Sequence, residues 1–432
     1  MDRFKQLRSG SFANLFLLHT IELELKKNRA QQRCPVFCFV SGALHLPTLI
    51  IQIVSELLHP QSADTDGHRI LHSLRISRIL LPIALGVAAV AYLFYRQFDP
   101  AQFRTIHWSV QAFAWIALAL GLLVVRHLLA AYRMYTITRG YFSFRKCIQL
   151  LVLWEFSGAL TPTSKGGPFV MLFVLTREHL PAGRTAAAVF YTMICDSGFF
   201  VLSLPILLAI YGPRMLYPGM QSYQDVGLAS GAFFVTYGLM VLYWLLLLTL
   251  LMLRPVYAQR ALHGLARRRW LSRWALQLNR LGDEFALAAG EIRQQNWRYH
   301  LRIVLSTIGA WTSKFLLINA LIIAIVPSTP LDGATQAFLY ARLVAMFTIM
   351  SFSPTPGGAG LAEVALSGFI SDFVPTGIGL VVALLWRGMA FYGYLFLGAL
   401  IVPGWVSRQL ASRKIQKQSA GAAESLSSGP VD

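Results

Sequence analysis

Two short polar runs limit what this chain can fold into. Leu160-Thr161-Pro162-Thr163-Ser164-Lys165-Gly166-Gly167-Pro168 and Phe352-Ser353-Pro354-Thr355-Pro356-Gly357-Gly358-Ala359-Gly360 each interrupt apolar sequence. A helix does not run cleanly through either, because Pro removes a backbone donor and Gly costs backbone entropy. In lipid, an unwound backbone is tolerated only where protein or a wet cavity surrounds it. A matched pair of such breaks, one per half, points to the binding site of a transporter.

That reading requires a membrane, and the composition supplies one. The chain of 432 residues is 56% hydrophobic and 13% charged, as expected of a polytopic membrane protein. Its formal net charge is +19. The Lys and Arg residues lie between and beside apolar spans, which fits the positive-inside rule rather than nucleic-acid binding. Of the four cysteines, Cys34 and Cys38 are spaced C-x3-C without a second pair or a nearby His. Cys147 and Cys195 lie in or beside apolar segments. No metal, cofactor or disulfide framework is expected.

Residues 1–75 are basic and mixed, and read as a weakly structured extension, in keeping with an upstream start choice. Within it, the apolar residues 35–58, interrupted by His45 and Pro47, read as an extra span, an interfacial helix or a poorly ordered part of the extension, the last being preferred. No secretory signal is expected, because the apolar run begins late and lacks a small-residue cleavage site. Residues 76–406 form the membrane domain. Its full spans are expected at Ile79–Tyr95, Val110–Val125, Ala186–Tyr211, Val226–Leu253, Ile303–Val326 and Gly377–Val402. The second continues as a helix towards Arg133.

The segments flanking the breaks are Ile148–Leu160 with Phe169–Leu175, and Phe338–Met350 with Leu361–Ile370. Each is shorter than the ~20 residues a spanning helix needs, so each pair is expected to form a re-entrant hairpin. The fold class is therefore all-α, with about six full spans and two broken hairpins.

The polar connection 254–302 is rich in Arg, with Leu265, Trp270, Leu271, Trp274 and Leu278 at helical spacing. It reads either as basic amphipathic helices on anionic inner-leaflet lipids or as a loop whose charges only set topology. With this loop inside, the first hairpin enters from the cytoplasm and the second from the opposite face. The other basic loops also fall inside, apart from Arg96 and Arg104, which share an outer loop with Asp99. This is the pattern of an inverted repeat. With residues 35–58 not spanning, both termini are expected to be cytoplasmic, with residues 407–432 a disordered tail.

Ionisable groups within apolar segments are costly, and functional by default. They are Glu155, Lys165, Asp196, Lys314, Arg342, Glu363 and Arg387. Lys314 reads best as a snorkelling side chain. Asp196 and Arg387 occupy equivalent places after the two breaks. A helix starting at Gly167 and Pro168 presents free N–H groups and a positive dipole end, with Lys165 adjacent, which suits a phosphate. The expected substrate-binding set is Lys165, Gly166, Gly167, Asp196, Gly357, Gly358, Glu363 and Arg387, with Arg133, Glu155 and Arg342 as further candidates. No G-x-S-x-G, H-E-x-x-H or Walker motif is present, so no catalytic residue is assigned.

The first break followed by the Asp196 helix resembles the lysylphosphatidylglycerol-synthase transmembrane-region family, often called flippase-like. So do the run Ser353 to Glu363 and the later Leu385-Trp386-Arg387. Arg133 resembles that family's Arg at the end of the second helix. The resemblance covers roughly residues 75–405. The extension, Lys165 and Pro168 depart from it, and there is no synthase domain. It implies a bacterial inner-membrane protein that moves or helps process phospholipids or polyprenyl-linked lipids. The expected function is lipid translocation. The alternatives are a membrane enzyme or accessory subunit acting on such a lipid, and a secondary transporter of a small solute.

Overall fold

The apolar segments fold as helices throughout. The computed structural model describes residues 108–160, 167–220, 228–351, 358, 360–405 and 407–409, and no strand occurs among them. The extension 1–75 and the expected span Ile79–Tyr95 lie outside the described residues, as does most of the tail. In chain order the helices are α1 (Val110–Ile137), α2 (Phe144–Leu160), α3 (Gly167–Arg177), α4 (Ala182–Tyr211), α5 (Leu228–Leu248) and α6 (Pro255–Ala266). They continue with α7 (Ala275–Arg293), α8 (Trp297–Ile325), α9 (Gly333–Met350), α10 (Leu361–Phe369) and α11 (Thr376–Arg387). π turns at Thr249–Leu253 and Gly388–Tyr392 follow α5 and α11.

Among the described residues, six helices are long and apolar enough to cross a membrane. They are Val110–Ile137, Ala182–Tyr211, Phe233–Leu253, Trp297–Ile325, Gly333–Met350 and Gly377–Gln409. Five correspond to expected spans. The sixth, α9, contains the expected short arm Phe338–Met350 but starts earlier. Asp332 caps it, its carboxylate accepting from Thr335 N at 2.8 Å, and this bonding holds the carboxyl below the usual carboxylate range. The cap extends α9 to 18 residues, about 27 Å at 1.5 Å per residue. Similarly, Asn296 caps α8 through Tyr299 N and starts it ahead of the expected Ile303.

The outer faces of the bundle are apolar and exposed. Phe396, Leu242, Val235, Ile210 and Leu400 are all more than half exposed. An apolar surface of this extent is suited to lipid rather than water. The interior is built round α8, where Phe315, Leu317, Ile318, Leu321 and Ile322 are fully buried. They pack with α4, α9, α10 and α11 in the main core. A second core joins α1, α2 and α3.

Ion pairs and hydrogen bonds mark the two ends of the bundle. At one end Lys146 pairs with Glu178 at 2.6 Å, and Arg139 and Arg184 both pair with Glu291 of α7 at 3.1 Å. The connection 254–302 is thus largely folded, as α6 and α7 followed by the first turns of α8. Phe285, Ala288, Ala289 and Ile292 of α7 are buried with Ala187, Ala188 and Tyr191 of α4. At the other end the buried Arg342 donates to Asp372 at 2.7 Å, to Phe369 O at 3.2 Å and to Arg214 O at 2.8 Å. The α2–α3 hairpin therefore has its feet at the basic end, and the α9–α10 hairpin has its feet at the opposite one.

Candidate functional site

The two hairpins meet inside the bundle, at a cavity of about 370 Å³. Gly158, Gly167 and Pro168 contribute from the first tip. Met350, Ser351, Gly358 and Ala362 contribute from the second. Local sequence makes this approach possible. A Cβ on Gly167 would lie 3.2 Å from Gly158 Cα and 3.5 Å from Trp154 Nε1, so the close approach of the two arms favours glycine at position 167. Gly358 has φ +71°, a left-handed conformation that an L side chain resists.

Three ion pairs are built into the cavity wall or directly behind it. Arg133 of α1 holds Asp196 of α4 through two bonds, at 2.5 and 3.2 Å, and also donates to Thr307. Trp311 Nε1 donates to the same Asp196 oxygen at 2.9 Å. Arg126 of α1 pairs with Glu155 of α2 at 2.6 Å and donates to Tyr394 Oη at 3.1 Å. Arg387 pairs with Glu363 of α10 at 2.9 Å, with side chains 6% and 1% exposed. Each pair joins two helices, and the second and third each tie a hairpin to the bundle. Lys314 of α8 lines the same cavity, its Nζ lying 4.7 Å from the ring centre of Trp311 and 4.5 Å from that of Phe347.

Of the residues expected to bind substrate, Gly167, Asp196, Gly358 and Arg387 line this cavity, and so do the further candidates Arg133 and Glu155. Glu363 stands just behind the wall, on Arg387. Lys165, Gly166 and Gly357 lie outside the described residues. Arg342 lies away from the cavity, at the foot of the second hairpin. Asp196 and Arg387 share the cavity, but each pairs with a different partner rather than with the other.

Sequence reasoning passed over Arg126, Trp311 and Tyr394, and treated Lys314 as a snorkelling residue. Arg126 resembled the basic end of a span, and the indole of Trp311 resembled core. The one available clue was spacing. Arg126, Ala130 and Arg133 recur at helical intervals, on one stripe of α1.

Such charges, gathered at the meeting of two hairpins inside a lipid-exposed bundle, can bind a polar or charged group while the surrounding helices face apolar chains. Comparison with known proteins agrees with a membrane assignment. A UPF0104 membrane protein of Archaeoglobus fulgidus is 26% identical over 342 residues, which covers 75% of this chain and 95% of that protein. No solved structure matches the chain. The sequence profile of the lysylphosphatidylglycerol synthase transmembrane region matches residues 79–398, a stretch containing both hairpins and every cavity-lining residue, and the chain is therefore a multi-pass membrane protein belonging to that family.

Proposed function

We propose that this protein moves an amphiphilic lipid across the membrane, the headgroup passing through the cavity between the hairpin tips while the tails remain in the bilayer. The observation that carries this reading is the meeting of two hairpins, footed at opposite ends of the bundle, at one cavity lined by Arg126, Arg133, Glu155, Asp196, Lys314 and Arg387. A charged residue at mid-membrane is costly unless it faces water, a partner or a ligand. Its volume of about 370 Å³ falls at the lower end of the ~300–1,000 Å³ range of ligand sites, enough for a headgroup and not for two acyl chains.

The basic end, with Arg139, Lys146, Arg184 and the Arg-rich α6–α7 segment, is the cytoplasmic one by the positive-inside rule. The hairpins are then re-entrant from opposite faces, and the C-terminus is cytoplasmic. In a bacterium the membrane is the inner membrane. The basic surface of residues 254–302 would rest on anionic lipids of that leaflet.

The test is reconstitution of the full chain into vesicles with fluorescent lipid in both leaflets, followed by chemical quenching of the outer leaflet. Wild-type protein should expose the inner-leaflet lipid to the quencher, and Asp196→Asn should slow that exposure by at least about tenfold. The variant keeps the shape of the side chain but removes the charge that Arg133 and Trp311 hold in place. A wild type no faster than empty vesicles would refute the proposal, as would full activity in Asp196→Asn.

A further inference from the structure

Among the described residues, the charges around the cavity do not balance. Arg133 is matched by Asp196, Arg126 by Glu155 and Arg387 by Glu363. Lys314 remains. Among the described residues it forms no ion pair and no hydrogen bond, and its ammonium rests against the rings of Trp311 and Phe347. Aromatic faces stabilise a cation less than a counter-charge does. A second feature adds to the excess. α3, an 11-residue helix, starts at the cavity wall with Gly167 and Pro168, so the positive end of its dipole borders the same space.

The carboxylates give the complementary half of the argument. Asp196 accepts two bonds from Arg133 and one from Trp311. Glu155 is held by Arg126 at 2.6 Å, and Glu363 is shielded behind Arg387. Asp196 and Glu155 keep side chains 32% and 28% exposed, but an ammonium reaching either would meet a carboxylate already matched by an arginine, and to reach Glu363 it would have to displace Arg387. A phosphate with no accompanying amine meets a cation already waiting. We infer that the cavity selects a lipid whose headgroup carries net negative charge, and that Lys314 is the residue that reads that charge. This rests on the lipid-moving reading above and names its substrate class.

The experiment uses purified full-length protein in detergent, titrated calorimetrically with short-chain phosphatidylglycerol, short-chain phosphatidylcholine and free glycerol 3-phosphate. Phosphatidylglycerol should bind at least about tenfold tighter than phosphatidylcholine. Lys314→Gln should weaken phosphatidylglycerol binding by about tenfold to a hundredfold, the span expected for a charged hydrogen bond, and leave phosphatidylcholine unchanged. Lys314→Arg should restore most of the difference. Equal affinity of the wild type for the two lipids overturns the inference, as does a Lys314→Gln variant that weakens both alike. Should Lys314→Gln not yield a monodisperse protein, the wild-type preference and Lys314→Arg decide. Lys314-dependent binding of glycerol 3-phosphate with no binding of either lipid sustains the anion site and refutes the lipid reading. Binding of none of the three refutes both.

Discussion

Glu363 and Arg387 form the most enclosed ion pair at the cavity, and the two partners should not be equally costly to remove. Glu363 is 1% exposed, and among the described residues its Oε2 has no hydrogen-bond partner. Arg387 is the partner of that carboxylate in the ion pair. Arg387→Gln strands it, and breaking a buried pair from one side costs about 3–5 kcal/mol. Glu363→Gln instead leaves a guanidinium that lines the cavity and lies 5.2 Å from the ring centre of Trp386 and 4.8 Å from that of Phe391. That loss should be smaller, about 1–3 kcal/mol. The double variant should recover about 2 kcal/mol relative to the sum of the single effects, within the range seen for residues in direct contact. Reversible unfolding in mixed detergent–SDS micelles measures all four corners of this cycle. Equal single costs that add to within about 0.5 kcal/mol would refute the reasoning. The same geometry predicts the outcome of a charge swap between Asp196 and Arg387. Asp196→Arg sets a guanidinium beside Arg133, and Arg387→Asp sets a carboxylate beside Glu363, so the swapped protein should fail to fold, whereas Glu363→Arg with Arg387→Glu should fold.

Two further outcomes follow from the hairpins. Gly167→Ala places a methyl group 3.2 Å from Gly158 Cα, and the forced separation of the arms should cost about 1–3 kcal/mol in the same unfolding assay and slow lipid movement. Arg342→Met removes the donor to Phe369 O and Arg214 O and the partner of Asp372. It should lower stability by about 3 kcal/mol and leave lipid selectivity unchanged, because Arg342 lies away from the cavity.

Much of the fold was legible because the membrane imposes a length and a polarity on each segment. Runs such as Ala186–Tyr211 and Ile303–Val326 were long and apolar enough to identify spans, and Gly167 and Gly358 marked where helices break. The residues Asp196 and Arg387 stood out because charges are rare in such runs. Their partners were not legible. Arg133 and Asp196 are 63 positions apart in sequence, Arg126 and Glu155 are 29 apart, and no periodicity links positions on different helices. Lys314 was set aside because a lysine stem usually reaches water, a rule that does not anticipate an aromatic seat inside a cavity. The early start of α9 depended on one cap, Asp332 on Thr335, which spacing of apolar residues does not reveal.

The last helix, Gly377–Gln409, is attached to both hairpins. Arg387 grips Glu363 on the second. Past the π turn, Tyr394 Oη meets Arg126, which holds Glu155 on the first. Lower down, Trp405 and Gln409 bond Glu178 at the foot of that same hairpin. A rod fixed at these points cannot follow one hairpin without loading the other. Between these contacts, at Gly388–Tyr392, wider π hydrogen bonding replaces the α pattern. A single helix thus carries side-chain contacts to both hairpins, so any displacement of one would load contacts made by the same helix on the other.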